Sequence, residues 1–240
     1  MTIPIQAILV PQGSEYKAVG RGLSRITTQP LILPIPVGPA PLARYLERLQ
    51  KAGQWLKYSQ PNVLLMGLCG SLSPHYAIGD VVLYQDCIYE ASASTRLLQS
   101  CDRELTTLLH HKLQPTIQPS PPRLSVVRAL TSERLIWSAA EKRELGQIYG
   151  AEVVDMEGFA ALKVLGQAGI AVAMVRVVSD DCYQNLPDLN SALNPEGSLQ
   201  AVPLGLGLLR QPKASTHLIQ GALRGLQVLR QVTTLLFSGY

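Results

Sequence analysis

Short apolar runs alternate along this chain with stretches in which apolar residues recur every three or four positions. That is the pattern of strands followed by helices. Residues 5–10 predict a first strand, ended by Pro11. A helix starts at about Ser14, with Ser14 as its expected cap and Gly20 and Gly22 as expected interruptions. Residues 31–37 carry Pro34 and Pro36, with Pro30 just before them. Proline cannot donate to a ladder, so this segment is predicted to be an edge strand or irregular. Over residues 41–58, Leu42, Tyr45, Leu46, Leu49, Ala52 and Leu56 share one face, which predicts an amphipathic helix.

Residues 62–66 read as a buried strand, with Gly67, Gly70 and Ser71 just beyond it. Residues 80–84 predict another strand, opened by Gly79. A short helix over 107–113, a proline-rich loop over 118–123, a strand over 124–130 and a helix over 139–149 follow. The run Val153-Val154 leads into Asp155-Met156-Glu157 and a helix over 158–167. A second apolar run ends at Ser179-Asp180-Asp181. Residues 195–212 are rich in Gly and Leu and carry no clear period, whereas 215–236 predict a long helix. Its core face is expected at Leu218, Ala222, Leu226, Leu229 and Val232. With no composition break and no repeat, residues 1–240 are expected to form one three-layer α/β/α domain. Its central sheet is predicted to be mixed and mostly parallel.

Composition narrows the possibilities. Hydrophobic residues make up 47% of the chain but aromatics only 5%, so the core must be aliphatic, as suits a sheet covered by helices. Only 16% of residues are charged, which favours a substantial subunit interface and agrees with a homo-oligomer. The net charge of +4 is spread out, with no run of Lys and Arg, and this argues against nucleic acid as a partner. Cys69, Cys87, Cys101 and Cys182 have neither zinc-site nor disulfide-framework spacing, so reduced thiols in a cytoplasmic protein are expected. Neither a signal peptide nor a membrane-spanning run of ~18 apolar residues is recognisable.

Three acids follow predicted strands: Glu15, Glu157 and Asp180. Ligands of open α/β sheets bind at such strand ends, so the three are expected to meet in one polar site. Acids favour helix N-termini in any case, and position alone leaves a capping role open for each. Asp155 is expected to cap a helix or serve as a buried structural acid, and Asp80 to fix the turn before its strand. His75, His110, His111 and His217 lack the spacing of metal ligands, and Cys69 is expected to be a small buried thiol.

Four segments carry a more specific signal. They are residues 10–19, Gly67-Leu68-Cys69-Gly70-Ser71-Leu72 with Ile78-Gly79-Asp80-Val81-Val82, residues 153–160, and Val175-Arg176-Val177-Val178-Ser179-Asp180. In this order they resemble the purine nucleoside phosphorylase and methylthioadenosine/S-adenosylhomocysteine nucleosidase superfamily. The resemblance implies cleavage of the N-glycosidic bond of a nucleoside, by water in nucleosidases and by phosphate in phosphorylases. It makes Asp180 the proton donor to purine N7, oriented by Ser179. Glu157 becomes the acceptor of the ribose hydroxyls, with Met156 against the sugar. Glu15 becomes the acid that holds and deprotonates the attacking water, and Arg176 a pocket arginine. Cys69 and Gly70 would approach the purine with their backbone.

Leu68 departs from the pattern, because many relatives carry Ser or Thr there. The phosphate-binding arginines of phosphorylases have no clear counterpart, although Arg21 and Arg25 could stand in. Residues 208–212 and the helix after them also resemble the branch associated with hopanoid synthesis. The expectation is hydrolysis of a 5′-substituted adenosine, with no metal or redox cofactor and with a neighbouring subunit closing the 5′ side. The alternatives are phosphorolysis of an adenosylhopane-like substrate, with phosphate as co-substrate, and a non-catalytic nucleoside-binding protein.

Overall fold

Eight strands form one mixed sheet in the computed structural model, which describes residues 4–53, 61–92, 95–114, 123–192, 194–198 and 200–238. The strands are β1 (Ala7–Pro11), β2 (Leu31–Ile35), β3 (Asn62–Ser71), β4 (Val81–Ser92), β5 (Thr95–Ser100), β6 (Leu124–Thr131), β7 (Val153–Asp155) and β8 (Ala171–Asp180). The helices are α1 (Ser14–Leu23), α2 (Pro39–Lys51), α3 (Arg103–Leu113), α4 (Ala139–Tyr149), α5 (Gly158–Gln167), α6 (Ala201–Arg210) and α7 (Pro212–Phe237).

The pairs β1–β2, β1–β3, β3–β8, β4–β6 and β6–β7 run parallel, and β3–β7, β4–β5 and β4–β8 antiparallel. Strand β3 lies at the junction. Its first half pairs with β1, its last two residues with β7, and its other edge with β8. From β8 the ladder continues through β4, β6 and β7 back to β3, so part of the sheet closes on itself.

Alternate side chains of the strands enter two separate cores, as the pleat requires. Leu9, Val63, Leu65 and Met174 pack on one face with α2 and α5. Ile8, Val10, Leu64, Met66, Val175 and Val177 pack on the other with α1, α3 and α7. These are the three layers that the sequence predicts.

The structure corrects several boundaries. Helix α1 runs unbroken through Gly20 and Gly22, and its cap is Gly13, not Ser14. A Cβ on Gly22 would lie 2.6 Å from Thr233 Cβ, so this glycine serves the packing of α7 on α1. Helix α2 ends at Lys51, and the rest of its predicted span includes residues outside those described. The predicted loop over 118–123 also falls mostly outside them. Strand β4 extends to Ser92 and is followed by β5, which the pattern does not reveal because its residues are mostly exposed. Helix α6 occupies the stretch that has no clear period. In α7 the buried face carries Gly221, Gly225, Val228, Leu229, Val232 and Leu236, so Leu218, Ala222 and Leu226 sit only partly buried beside it. Among the described residues no helix is long and apolar enough to cross a membrane.

Candidate active site

The site is assembled around the last five residues of β3. Gly13 takes φ 101°, a conformation that glycine adopts freely, and this turns the chain sharply from β1 into α1. Glu15 therefore lies in the first helical turn, and its Oε1 accepts a hydrogen bond from the backbone N–H of Leu68 at 2.7 Å. Burial raises the Glu15 carboxyl to about 7, against the opposing pull of Arg176 and the Leu68 N–H.

Arg176 lies opposite Gly67 in the β3–β8 ladder and is fully buried. A Cβ on Gly67 would fall 2.3 Å from Arg176 Nη1 and 2.6 Å from Glu15 Oε1. Only glycine leaves room for the two charged groups to converge over the strand. Arg176 Nη2 donates to Asp155 Oδ2 at 2.9 Å and to Glu157 Oε2 at 3.1 Å. Burial opposes its charge, but Asp155 and Glu157 outweigh that and hold the guanidinium protonated well above its ordinary range. Among the described residues its Nε and Nη1 have no hydrogen-bond partner.

The two acids flanking Met156 have different surroundings. Asp155 has no exposed side-chain surface. It accepts from Thr131 Oγ1 at 2.8 Å and from Gly158 N at 3.1 Å, besides Arg176, so it both satisfies the first N–H of α5 and anchors the arginine. Glu157 keeps 6% of its side-chain surface open and accepts from Gly38 N at 3.3 Å in the turn between β2 and α2. Burial raises its carboxyl, with Arg176 pulling the other way. Met156 is half-buried beside it.

Three residues further along β3 lies the second charged group. The β3–β8 register shifts between Cys69 and Gly70, so that Cys69 faces Val178 and Gly70 faces Asp180. Ser179 is the extra residue of this bulge, and bulges re-aim the side chains beside them. Its hydroxyl lies 3.2 Å from the Cys69 carbonyl and 2.7 Å from Asp180 Oδ1. Asp180 Oδ2 sits 2.7 Å from where a Cβ on Gly70 would be, so the space at Gly70 is taken up by this carboxylate. Cys69 is buried, and burial pushes its thiol up and away from reactivity.

One residue of this group is missing from the sequence-based candidates. Lys142 on α4 is completely buried and ion-paired with Asp180 Oδ2, and it also donates to the Asp181 carbonyl at 3.0 Å. A signal exists in the sequence: Ala139, Lys142, Gly146 and Tyr149 fall on one helical face, and a lysine on such a face has to find a partner inside.

Other sequence-based candidates settle elsewhere. Asp80 accepts from Ala77 N and Arg123 N, both at 2.9 Å, and fixes the turn before β4. Arg21 and Arg25 are exposed at and beyond the far end of α1, about 9 Å or more along the axis from Glu15. Leu68 belongs to the core on the α7 side, where its Cδ2 lies 2.9 Å from where a Cβ on Gly225 would be. Glu15, Glu157, Arg176, Ser179 and Asp180 thus gather along the end of β3, with Cys69 and Gly70 in the strand itself.

The chain matches a family model described as the phosphorylase superfamily over residues 18–196. Curated proteins yield no sequence match. Among solved structures it is similar to futalosine hydrolase of Helicobacter pylori, at 13% identity and a TM-score of 0.68, over 98% of this chain and 97% of that one. It is also similar to 5′-methylthioadenosine/S-adenosylhomocysteine nucleosidase from the same organism, at 14% identity and a TM-score of 0.63, over 95% and 97% of the two chains. The corresponding nucleosidase of Campylobacter jejuni aligns with a TM-score of 0.60 at 13% identity, over 94% and 98%. At these identities the likeness is one of fold. The extent of the family match is what decides membership: this chain belongs to the phosphorylase superfamily, the enzymes of N-glycosidic bond cleavage that its motifs resemble.

Proposed function

We propose that the protein hydrolyses the N-glycosidic bond of a purine nucleoside, with a 5′-substituted adenosine as the substrate class. One observation carries this: an acid–arginine pair over Gly67 and a carboxylate at Gly70, three residues apart at the end of the same strand. Three residues of strand span ~10 Å. That separation accommodates a water at the sugar carbon C1′, the breaking bond and the imidazole edge of the leaving purine.

In this reading Glu15 takes a proton from the attacking water, and Arg176 Nη1 helps hold that water. Glu157 accepts the vicinal ribose hydroxyls, which suits its partly open carboxylate. Met156 lines the sugar, and the backbone at Cys69 and Gly70 borders the base. Asp180, oriented by Ser179, delivers the proton to N7. Among the described residues, Glu15, Asp155, Glu157 and Asp180 face Arg176 and Lys142 as buried cations. An excess of carboxylates favours the oxocarbenium-like transition state of glycoside cleavage. The same excess opposes a phosphate nucleophile, and the exposed positions of Arg21 and Arg25 give it no support.

The 5′ substituent is assigned to the groove beside the turn that meets Glu157. Pro34, Pro36, Pro41, Arg44 and Arg48 line it together with Glu196 and Ser198, and Gly197 O between these two accepts from Val37 N at 3.0 Å. No metal or redox cofactor enters this chemistry. A homo-oligomer whose neighbouring subunit covers the groove, in the cytoplasm, completes the proposal.

The test is incubation with adenosine, methylthioadenosine and adenosylhopane, with and without phosphate. Free base and free sugar at rates independent of phosphate are expected. Sugar phosphate as product would replace hydrolysis by phosphorolysis. Tight binding of nucleosides with no product from any of them would leave a binding protein in its place.

A further inference from the structure

Resting on that reading, the geometry points to Lys142 as the store of the proton that Asp180 passes to the leaving purine. Both oxygens of Asp180 are already occupied by donors, Oδ1 by the Ser179 hydroxyl at 2.7 Å and Oδ2 by the Lys142 ammonium. An oxygen paired with an ammonium is an acceptor, so a proton that leaves Oδ2 has to be replaced from a donor at that oxygen. The nearest transferable proton lies on Lys142 Nζ. That nitrogen has no exposure to solvent and is fixed by a second acceptor, the Asp181 carbonyl at 3.0 Å. Lys142 is shielded behind Asp180, so it acts through the carboxylate and is a positioning and proton-supplying residue.

The step balances as follows. The C1′–N9 bond breaks and its electron pair passes into the purine. N7 takes a proton from Asp180 Oδ2 as Oδ2 takes one from Nζ. Lys142 is left as a neutral amine and Asp180 again as a carboxylate. Water adds at C1′ and yields its proton to Glu15, and solvent returns a proton to Lys142 through the partly exposed Asp180 carboxylate once the base has left. Lysine suits this task because its ammonium can be deprotonated in a protein interior, whereas a guanidinium cannot.

The experiment compares Lys142→Met with the unaltered protein on two substrates between pH 6 and pH 9. One is the purine nucleoside cleaved fastest by the unaltered protein. The other is p-nitrophenyl β-riboside, whose leaving group departs without a proton. The expected loss in kcat/KM on the nucleoside is ~100-fold or more, as for removal of a general acid, and at least ~20 times the loss on the nitrophenyl riboside. The nucleoside loss is also expected to grow at least ~10-fold from pH 6 to pH 8, because without the ammonium the proton has to be drawn from solvent.

Equal losses on both substrates, or a loss independent of pH, would overturn the inference and leave Lys142 a structural ion-pair partner. Should Lys142→Met not fold by circular dichroism, Lys142→Arg carries the same comparison. It keeps the charge and removes the transferable proton, so restored nucleoside turnover in that variant also overturns the inference. An unaltered protein that cleaves the nitrophenyl riboside and no purine nucleoside, or neither, refutes the purine reading itself, a result distinct from either of these.

Discussion

Arg176 and Lys142 are both wholly buried cations, and each faces the end of β3, but they hold their acids differently. Arg176 is shared by Asp155 and Glu157, with Glu15 close by at Gly67. Lys142 has one carboxylate, Asp180, and one backbone carbonyl. A guanidinium offers five donors in a rigid fork and never gives up its proton, so it can lock several acids in place. An ammonium is a compact charge that can lose its proton. On the proposed reading, the arginine group holds geometry and nucleophile, whereas the lysine group moves a proton.

Arg176→Met strikes the holding group hardest. It leaves Asp155 and Glu157 without their cation in a closed interior, and breaking a buried pair in this way costs about 3–5 kcal/mol. Urea denaturation measures it, and a loss below about 1 kcal/mol would break the comparison. Asp180→Asn comes next. It should lower kcat ~100-fold or more while KM changes far less, since it removes the donor and keeps the shape.

The third expected effect concerns pH. As the proposed base Glu15 has to be ionised, and burial raises its carboxyl to about 7. The rate on the nitrophenyl riboside should therefore rise about tenfold from pH 6 to pH 8 and then level, with Glu15→Gln abolishing the rise. Stability runs the opposite way. A carboxyl whose folded value lies above its unfolded value favours the fold below the unfolded value, and that contribution is lost as pH rises through about 7. Glu15→Gln should thus be more stable than the unaltered protein at pH 8, by ~1–3 kcal/mol, and not at pH 4. A variant equally stable at both would show that the carboxyl is solvated. The smallest effect is predicted for Leu68→Ser, whose side chain packs towards α7 and not over Glu15. Its kcat/KM should change by less than ~10-fold, with no dependence on phosphate; a gained phosphate requirement would place residue 68 in the nucleophile's site.

Much of the molecule is legible from local pattern. The apolar runs at 62–66 and 171–178 are strands buried in all but their first residues, and α4 and α5 begin and end where the period does. Strand β5 and helix α6 escape because one is mostly exposed and the other lies in a Gly- and Leu-rich stretch with no single face. The split between Asp155 and Glu157 is foreshadowed by their order relative to the helix, but Thr131, which fixes Asp155, comes from β6. Gly67 and Gly70 are visible as glycines; what fills the space each leaves, Arg176 with Glu15 in one case and Asp180 in the other, comes from elements far away in the chain.

By itself the sequence determined the layers, the sheet's aliphatic core and the acids at the strand ends, because each follows from local period and from the chemistry of single residues. Only the tertiary structure decided which cation serves which acid. Pairing depends on the β3–β8 register, on the bulge at Ser179 and on the face of α4 that turns inward, and these are set by contacts between segments dozens of residues apart.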